Sequence, residues 1–510
     1  MLDSAHDSEA MRRSLLARLS QPWALAAIGI ALVVAGFHFW INPSNPPGFI
    51  RDEASISYNA YTISQTLHDQ DSGLLPLFFT SFRDYKSPVF VYLLAGVFRI
   101  TGPHAEVARG LAAASVLAAV LAIGLIALRR SRSVAVAVAA LALAGATPWL
   151  FEVGRVAYET SLLPFAVCVV LLTLERCVRT QTWTARQAIP VGLALGALTY
   201  VYAAGRLLAL LFAGALLVLA GRGRWRWLVS AWATFGVTLV PLALYWHNHP
   251  GALTARYQAT TFISDDMPLG EIVKTAVSNY VHDMNLWHWV TTGDPKPYVH
   301  AYGTGSLLGV VAALGVLGAA LVLVRARGDL FWRYVLVALL LAPVPASLTE
   351  DRFYALRLVP VAVLLLVLSI PALTLLASAA RTQWPARAAV VVLAVAGAIQ
   401  FVDFLSVYRN AGLGRERVFE AGVPELLKDY GLAAGGTVYT DHDDRYAQTH
   451  ALWYAVEHGV SSSQVVILDE GEVPPTGSVV FGRLQSCDFV CREVSRSFEY
   501  WIARAEGPSR

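Results

Sequence analysis

The sequence predicts a polytopic α-helical membrane protein with a small α/β domain at its C-terminal end. Three observations lead to this fold class. Of the 510 residues, 56% are hydrophobic and the mean hydropathy is +0.52, whereas soluble domains are about 45–50% apolar. Apolar segments close to the ~20 residues that a bilayer requires recur along the chain as far as residue 405. From Arg415 onward the sequence becomes polar. The net charge of +3 says little about partners.

The first apolar segment, residues 23–40, follows a polar stretch that carries Arg12, Arg13 and Arg18. This arrangement is similar to that of a signal peptide, but no small-residue cleavage motif follows the apolar run. The run meets a proline-rich stretch at residues 42–47 instead. We therefore predict a retained first helix, preceded by a cytoplasmic segment of residues 1–21.

Ten further segments have the length and low charge of membrane spans, which predicts about 11 transmembrane helices. The ten are residues 108–128, 134–149, 161–175, 188–204, 207–220, 228–246, 304–324, 332–348, 355–377 and 388–405. Every second connection is short and basic, with Arg129, Arg130 and Arg132, then Arg176, Arg179 and Arg186, then Arg222, Arg224 and Arg226, then Arg325 and Arg327, then Arg381 and Arg387. The positive-inside rule makes these connections cytoplasmic. We therefore expect a cytoplasmic N-terminus and an extracytoplasmic C-terminus.

This topology divides the chain into a transmembrane domain, residues 22–409, and an extracytoplasmic domain, residues 410–510. Two long outer loops, 42–107 and 247–303, belong to the first. Within loop 42–107, residues 54–67 predict a short amphipathic helix and residues 88–100 an interfacial helix. In the C-terminal domain, residues 437–440, 464–468 and 478–481 predict strands, and residues 446–458 predict a helix. Cys487 and Cys491 can pair if this domain lies in an oxidising compartment.

Charged side chains gather on the outer side once this topology is imposed. They are Asp52, Glu53, Asp84 and Lys86 in the first loop, Arg155, Glu159 and Arg206 at outer helix ends, and Glu350, Asp351, Arg352 and Arg357 where two late spans meet. A carboxylate can take the proton of a hydroxyl nucleophile, and Arg or Lys can hold a phosphate. Tyr58 and Tyr85 also lie outside and suit sugar faces, although interfacial tyrosines need no ligand.

Each of these residues also has a structural interpretation. Asp52 and Glu53 can serve as favourable charges at the N-terminus of a helix that starts near Ala54. Lys86 can be an interfacial anchor whose ammonium group reaches the membrane surface. Arg357 falls inside a membrane helix, where its charge requires a partner, and that partner is either a substrate phosphate or one of the acids Glu350 and Asp351 in a structural pair.

Arg155 and Glu159 are four residues apart, so a helix-surface ion pair is the first interpretation and substrate contact the second. Arg206 is either a substrate contact or a plain outer-loop charge. Two clusters that contain metal-ligand residue types lack the spacing of known sites, and we interpret them as solvated turns. They are His282, Asp283, His288 and His300, and the run Asp441-His442-Asp443-Asp444.

The first loop carries a resemblance to a known family. A first span is followed by Asp52-Glu53 at the head of a long outer loop and then by Asp84-Tyr85-Lys86-Ser87-Pro88. This pattern resembles the membrane-embedded GT-C glycosyltransferases, in particular the group of protein O-mannosyltransferases and lipid A aminoarabinose transferases. The segments Arg155-Val156-Ala157-Tyr158-Glu159 and Ala355-Leu356-Arg357 resemble bacterial members of that group. Ser87 departs from the commonest pattern, in which a second proline often follows the lysine.

The resemblance implies roles for several residues. Asp52 would be the general base, and Glu53 would orient the acceptor or support that base. Lys86 would contact the phosphate of a polyprenyl-phosphate sugar donor, Asp84 would border the same site, and Arg357 would help to hold the phosphate. The members that this chain most resembles work without a metal, so we expect no metal and no cofactor.

The sequence and the resemblance together predict a glycosyltransferase of the plasma (inner) membrane. It would move one sugar, with inversion, from a polyprenyl-phosphate donor to an extracytoplasmic hydroxyl on a glycan, a lipid glycan or a protein. Its expected partners are that donor, that acceptor and membrane lipid, and no nucleic acid is expected. Two alternatives are a lipid-sugar flippase or other transporter, and a non-catalytic envelope assembly protein.

Overall fold

The computed structural model describes residues 22–40, 45–82, 84–432, 436–483 and 489–507. The predicted cytoplasmic segment 1–21 lies outside the described residues, and so does Cys487, so the predicted pairing with Cys491 stays a prediction. The domain boundaries drawn from the sequence also stay predictions.

Helices account for most of the chain up to residue 430. They are α1 Pro22–His38, α2 Arg51–Thr66, α3 Pro88–Thr101, α4 Ala105–Ser131, α5 Val134–Ala146, α6 Pro148–Val153, α7 Leu163–Thr180, α8 Ala185–Val201, α9 Ala203–Ala215, α10 Trp225–Thr238 and α11 Val240–Asn248. They continue as α12 Ala255–Gln258, α13 Leu269–Asp283, α14 Leu286–Thr291, α15 Gly309–Arg325, α16 Leu330–Leu341, α17 Val344–Ser347, α18 Ala355–Ala379, α19 Trp384–Asn410 and α20 Val423–Tyr430. Two 3-10 turns, Glu159–Leu162 and Leu216–Leu219, extend α7 and α9.

The centre of the helical bundle is α18. Its residues from Ala355 to Ile370 are all buried, as expected of a helix that is apolar on every face. It packs against α15, α5 and α4. The contact with α15 is close because Gly318 faces the backbone of α18, where a Cβ atom would overlap the carbonyl oxygen of Leu368.

The structure confirms a multi-pass membrane protein at the level of its apolar helices. Within the described residues, six helices are long and apolar enough to cross a membrane: Ala105–Ser131, Glu159–Thr180, Trp225–Asn248, Leu330–Ser347, Ala355–Ala379 and Trp384–Gly414. Shorter apolar helices include Val134–Ala146, Ala203–Leu219 and Gly309–Arg325. Each of the eleven segments predicted from the sequence overlaps a helix. The count of eleven spans and the orientation of the termini stay predictions.

The first outer loop folds onto the bundle as two helices and a hairpin. α2 begins at Arg51, three residues earlier than predicted, so Asp52 and Glu53 lie in its first turn. Between α2 and α3 lies the antiparallel pair β1 Phe79–Ser81 and β2 Asp84–Lys86. The apolar face of α3, which includes Phe90 and Leu94, is buried against α2.

The C-terminal domain contains a five-stranded sheet with the order β4-β3-β5-β7-β6. Its strands are β3 Val438–Thr440, β4 Val465–Ile467, β5 Val479–Arg483, β6 Val490–Ser497 and β7 Tyr500–Gly507. β3 is parallel to β4 and β5, whereas β7 is antiparallel to β5 and β6. The helix α21, Arg445–Glu457, connects β3 to β4 and also packs against α2 of the first loop.

Strands β3, β4 and β5 and helix α21 coincide with the elements predicted from the sequence. Strands β6 and β7 were missed. β6 is largely exposed and carries Arg492, Glu493 and Arg496, so its charges hide the alternation of apolar and polar residues that marks a half-buried strand.

Candidate active site

A cavity of about 390 Å³ lies where the first loop, the ends of neighbouring helices and the C-terminal domain meet. Its wall includes Arg51, Asp52, Asp84, Tyr85, Lys86, Tyr158, Glu159, Tyr202, Arg256, Tyr298, Tyr354, Arg417, Glu420, Arg483 and Glu499. The wall is therefore rich in both carboxylates and cations. Of the candidate residues drawn from the sequence, Asp52, Asp84, Tyr85, Lys86 and Glu159 come together here.

The start of α2 places Asp52 on the cavity wall. Ile50 has an extended backbone (φ −66°, ψ 150°) and the helix begins at the next residue. Consecutive residues of a helix point about 100° apart, because there are 3.6 residues in each turn. Asp52 and Glu53 therefore face different surroundings although they are neighbours. The Asp52 side chain is 31% exposed, whereas that of Glu53 is 0% exposed.

Glu53 binds protein groups behind the cavity wall. Arg109 of α4 donates from Nε to Oε1 over 2.9 Å and from Nη2 to Oε2 over 2.7 Å. The backbone N–H of Ala157 donates to the same carboxylate over 2.8 Å. Of the two roles that the resemblance implied for Glu53, orienting the acceptor does not fit this buried position. Support of the loop that carries Asp52 does fit it.

The hairpin of β1 and β2 brings Lys86 to Asp52. The Lys86 Nζ atom donates a hydrogen bond to Asp52 Oδ1 over 2.7 Å and lies 3.7 Å from Asp84 Oδ2. Burial opposes the charge on Lys86, but Asp52, Glu159 and Asp84 outweigh it and raise the pKa of the ammonium group. Burial likewise opposes the charge on Asp52, but Lys86, Arg256 and Arg51 prevail and lower its pKa. Both groups are charged at neutral pH.

Arg256 is a site residue that the sequence analysis missed. It lies on the short helix α12 in the second outer loop, and its Nη1 atom is 3.2 Å from Asp84 Oδ2. Its side chain is 40% exposed and lines the cavity. Nothing in its local sequence marks it as functional, since only the folding of the 247–303 loop brings it beside Asp84. Lys86 and Arg256 therefore flank one carboxylate.

Glu159 lines the cavity, but Arg155 does not. The backbone between them leaves α6 and enters a 3-10 turn, so four residues of separation do not place both side chains on one helix face. Arg155 donates instead to the carbonyl oxygens of His38 and Trp40, over 2.7 and 2.6 Å. Glu159 Oε1 accepts from the backbone N–H of Ser87 over 3.3 Å. The ion pair predicted from their spacing is therefore wrong.

Arg206, Arg357 and Tyr58 lie away from the cavity wall as the described residues define it. Arg206 donates to the Leu253 carbonyl oxygen over 2.8 Å, and its Nε and Nη2 atoms are buried without a hydrogen-bond partner in the described part of the chain. Arg357 donates to Thr349 Oγ1 over 2.8 Å and lies 3.6 Å from Asp351 Oδ2. The structure therefore shows the acid-paired alternative for Arg357. Tyr58 is buried on α2.

The C-terminal domain supplies one wall of the cavity, which the sequence analysis did not assign to it. Glu420 accepts hydrogen bonds from the backbone N–H and the Nη1 atom of Arg51, over 2.7 and 3.0 Å. Glu499 pairs with Arg417 over 3.2 Å and with Arg483 over 3.0 Å. Across the described residues, His, Cys, Asp and Glu side chains form no group of three or more that could hold a metal.

The fold and the site define a class, a multi-pass membrane protein with a charged cavity between its helical bundle and a small α/β domain. Comparison with solved structures identifies the fold. The crystal structure of ArnT from Cupriavidus metallidurans bound to undecaprenyl phosphate superposes with a TM-score of 0.57 at 12% identity, covering 95% of this chain and 98% of that chain. The apo structure of the same ArnT gives a TM-score of 0.56 at 14% identity, covering 94% and 97%. This chain therefore has the GT-C fold, as the resemblance predicted.

A weaker likeness links the chain to the apo oligosaccharyltransferase of Archaeoglobus fulgidus. The TM-score is 0.48 at 16% identity, over 86% of this chain and 64% of that chain, which is too low to define a fold. No family model matches the sequence. No curated protein matches it either.

Proposed function

We propose that the protein is a membrane glycosyltransferase that moves one sugar from a polyprenyl-phosphate donor to a hydroxyl acceptor. The observation that carries the proposal is the contact of 2.7 Å between Lys86 Nζ and Asp52 Oδ1 on the wall of the cavity. It joins a cation suited to a phosphate with a carboxylate suited to a hydroxyl proton. The GT-C fold supports the same chemistry, since an ArnT structure with this fold contains undecaprenyl phosphate.

Lys86 and Arg256 form the donor-phosphate site in this proposal. Both line the cavity, and both have Asp84 as a neighbour, at 3.7 and 3.2 Å. A phosphate that enters between them would accept charge-assisted hydrogen bonds, which are about twice as strong as neutral ones. The polyprenyl chain would extend from the phosphate into the lipid. Arg206 is a candidate third donor because two of its buried nitrogen atoms have no partner in the described residues.

Asp52 is the proposed general base. Phosphate binding would draw Lys86 away from Asp52 and leave the carboxylate free to accept the proton of the acceptor hydroxyl. The acceptor oxygen then forms a bond to the anomeric carbon, and the bond from that carbon to the phosphate oxygen breaks. Polyprenyl phosphate leaves with the electron pair, and Lys86 and Arg256 compensate the charge. A single displacement of this kind inverts the anomeric configuration.

The sugar would lie between the phosphate site and Asp52. Tyr85, Tyr158, Tyr202, Tyr298 and Tyr354 all line the cavity. Aromatic rings suit the apolar faces of sugars, and their hydroxyl groups can hydrogen-bond to sugar hydroxyls. The acceptor would enter the cavity on the side that the C-terminal domain lines.

We place this cavity on the extracytoplasmic side. Arg109, near the start of α4, binds Glu53 behind the cavity wall, so this end of α4 lies near the cavity. The other end of α4 carries Arg129 and Arg130. The 27 residues of α4 separate these ends by about 40 Å, which is roughly the thickness of a bilayer. Because short basic connections are cytoplasmic, the cavity would face outward.

The test is sugar transfer by the purified full-length protein in lipid nanodiscs. A panel of radiolabelled polyprenyl-phosphate monosaccharides is offered together with crude envelope acceptor. The variants are Asp52→Asn and Lys86→Ala, with Asp266→Asn and Lys274→Ala as matched controls on exposed positions of the second outer loop. Consumption of one donor by the wild type and both controls, but by neither site variant, supports the proposal. Transfer by Asp52→Asn at the wild-type rate, or no transfer from any donor, contradicts it and favours the transporter and assembly alternatives.

A further inference from the structure

The C-terminal domain contacts both segments that carry the candidate catalytic residues. We propose that this domain forms part of the active site. Glu420 and Tyr446 are positioning residues in this proposal, and they fix the position of Asp52 relative to Lys86. Glu420 holds the first turn of α2, and Tyr446 holds the tip of the β1–β2 hairpin. This inference rests on the proposed glycosyltransferase function and assigns a role to a domain for which neither the sequence nor the fold specified one.

The first anchor is the carboxylate of Glu420. It is buried, with a side chain 5% exposed, and it accepts hydrogen bonds from the backbone N–H and the Nη1 atom of Arg51 over 2.7 and 3.0 Å. The N–H groups of a helix's first turn have no partner within the helix, so Glu420 caps α2 from another domain. Arg51 immediately precedes Asp52.

Glu420 is itself held by two elements of the C-terminal domain. The His450 Nε2 atom of α21 lies 2.7 Å from Glu420 Oε2, and the Tyr500 hydroxyl of β7 donates to Oε1 over 3.0 Å. Burial opposes the charge of Glu420, but His450 and Arg51 outweigh it and lower the pKa of the carboxyl group. The first turn of α2 is therefore fixed to the helix and the sheet of this domain.

The second anchor is an aromatic stack. Phe82 lies at the tip of the hairpin, and its ring stacks on Tyr446 of α21 with centroids 4.6 Å apart and planes 24° apart. Phe82 has a φ of 51°, a left-handed conformation that is unusual for a bulky residue and persists only where its surroundings hold it. The guanidinium groups of Arg51 and Arg483 each lie 4.6 Å from the Tyr446 ring. Tyr446 therefore contacts both catalytic segments.

These anchors act on different halves of the proposed reaction. Arg51 directly precedes Asp52, the proposed base. Phe82 precedes strand β2, which carries Lys86, the residue that would bind the donor phosphate. A misplacement of about 1 Å in such groups can lower a rate by about 100-fold. Loss of the Glu420 anchor should therefore lower kcat more than it changes the donor KM. Loss of the Phe82 stack should mainly raise the donor KM. A domain that only stabilised the fold would not separate the two constants in this way.

The experiment uses the full-length protein in nanodiscs and the variants Glu420→Gln and Phe82→Ala. Glu493→Gln is the matched control for the first, because Glu493 pairs with Arg496 on the exposed face of β6. Phe498→Ala is the matched control for the second, because Phe498 is an exposed phenylalanine with a φ of 53° at the β6–β7 turn. Hydrogen exchange is followed in peptides that cover residues 51–66 and 79–86, and transfer kinetics are measured beside it.

We expect Glu420→Gln to speed exchange at the start of α2 and lower kcat about tenfold or more. Phe82→Ala should speed exchange in the hairpin and raise the donor KM, and the controls should match the wild type. Unchanged exchange in both variants overturns the inference, as do unchanged kinetics in an active protein. If the wild type transfers no sugar but the variants still exchange faster than the wild type, the anchors are supported and the proposed function is overturned instead. If Glu420→Gln fails to fold, Phe82→Ala decides alone, since its side chain is not part of the core of the C-terminal domain.

Discussion

Arg109 donates hydrogen bonds to both carboxylate oxygens of Glu53, over 2.9 and 2.7 Å. The adjacent Asp52 points to the cavity and accepts from Lys86. The sequence does not indicate which of these neighbouring acids faces the cavity, but the structure gives them different partners. Glu53 joins α2 to α4 and to the backbone of Ala157, and Asp52 faces the cavity.

Glu53→Gln should destabilise the protein strongly. Removal of one partner from a buried ion pair typically costs about 3–5 kcal/mol, because the other charge stays buried without compensation. Here that charge is Arg109, whose side chain is 19% exposed. The measurement is the midpoint of thermal unfolding of the purified protein in detergent. Asp52→Asn is the control and should unfold close to the wild type, since Asp52 is partly exposed and Lys86 keeps Asp84 as a neighbour. Equal stability of Glu53→Gln and the wild type would contradict a structural role for Glu53.

Lys86→Ala and Arg256→Ala should each weaken the binding of undecaprenyl phosphate. A hydrogen bond to a charged group contributes about 1.5–3 kcal/mol, which corresponds to about 10- to 150-fold in affinity. Titration of nanodisc-embedded protein with undecaprenyl phosphate, read by native mass spectrometry, gives the dissociation constants. Lys274→Ala, on an exposed face of α13, serves as the control. If Arg256→Ala binds as tightly as the wild type, Arg256 is only a counterion for Asp84.

Arg357→Gln should lower stability and leave the affinity for undecaprenyl phosphate within about twofold of the wild type. The reason is that Arg357 binds Thr349 and lies near Asp351, and it is absent from the cavity wall in the described residues. The same titration and the unfolding midpoint measure both effects. A loss of affinity as large as that of Lys86→Ala would restore the phosphate role that the family resemblance implied.

The pH dependence of transfer should follow the charges around Asp52. Its pKa is lowered from the ordinary value of 3.8, so its contribution to stability is present above that value and is lost as the pH falls below it. The base should stay ionised throughout the neutral range, and the acidic limb of kcat/KM should lie below pH 3.8. Arg256→Gln removes one charge that lowers this pKa, so its acidic limb should move to higher pH. Profiles measured from about pH 2 to 8 test this, and an unchanged limb would show that Arg256 does not act on Asp52.

The pKa shift of Lys86 is opposite in sign to that of Asp52, so it affects stability at alkaline pH instead of acidic pH. Burial of its ammonium group is outweighed by Asp52, Glu159 and Asp84, and its pKa is raised above 10.5. The stability that its ion pair contributes is therefore present below that value and is lost only as the pH rises beyond it. Because both pKa shifts move away from neutrality, the ion pair of Lys86 and Asp52 is intact over the pH range in which sugar transfer would be assayed.

Much of the fold was predictable because each membrane helix corresponds to a long run of apolar residues in the sequence. Each predicted span overlaps a helix, since a bilayer requires a long apolar run whatever the neighbouring helices do. The predicted strands β3, β4 and β5 also lie where the apolar alternation placed them. The exposed strand β6 was not predictable in this way, because most of its residues are exposed and both of its faces carry polar side chains.

The site was only partly predictable, for a physical reason. Asp52, Asp84 and Lys86 belong to one loop, so their sequence neighbourhood kept them together. Arg256, Glu420 and Tyr446 reach the same region from distant parts of the chain, and no local pattern marks them. The spacing of Arg155 and Glu159 was misleading, because a break between α6 and the following 3-10 turn separates them.

By itself, the sequence determined the membrane class, the apolar helices and the first-loop acids and lysine, since composition and local order are sufficient for these. The tertiary structure alone decided which of two adjacent acids faces the cavity, whether Arg357 has an acid as its partner, and that the C-terminal domain reaches the site. These outcomes depend on the direction of each side chain and on contacts across hundreds of residues. Such contacts arise only when helix packing brings the distant segments together.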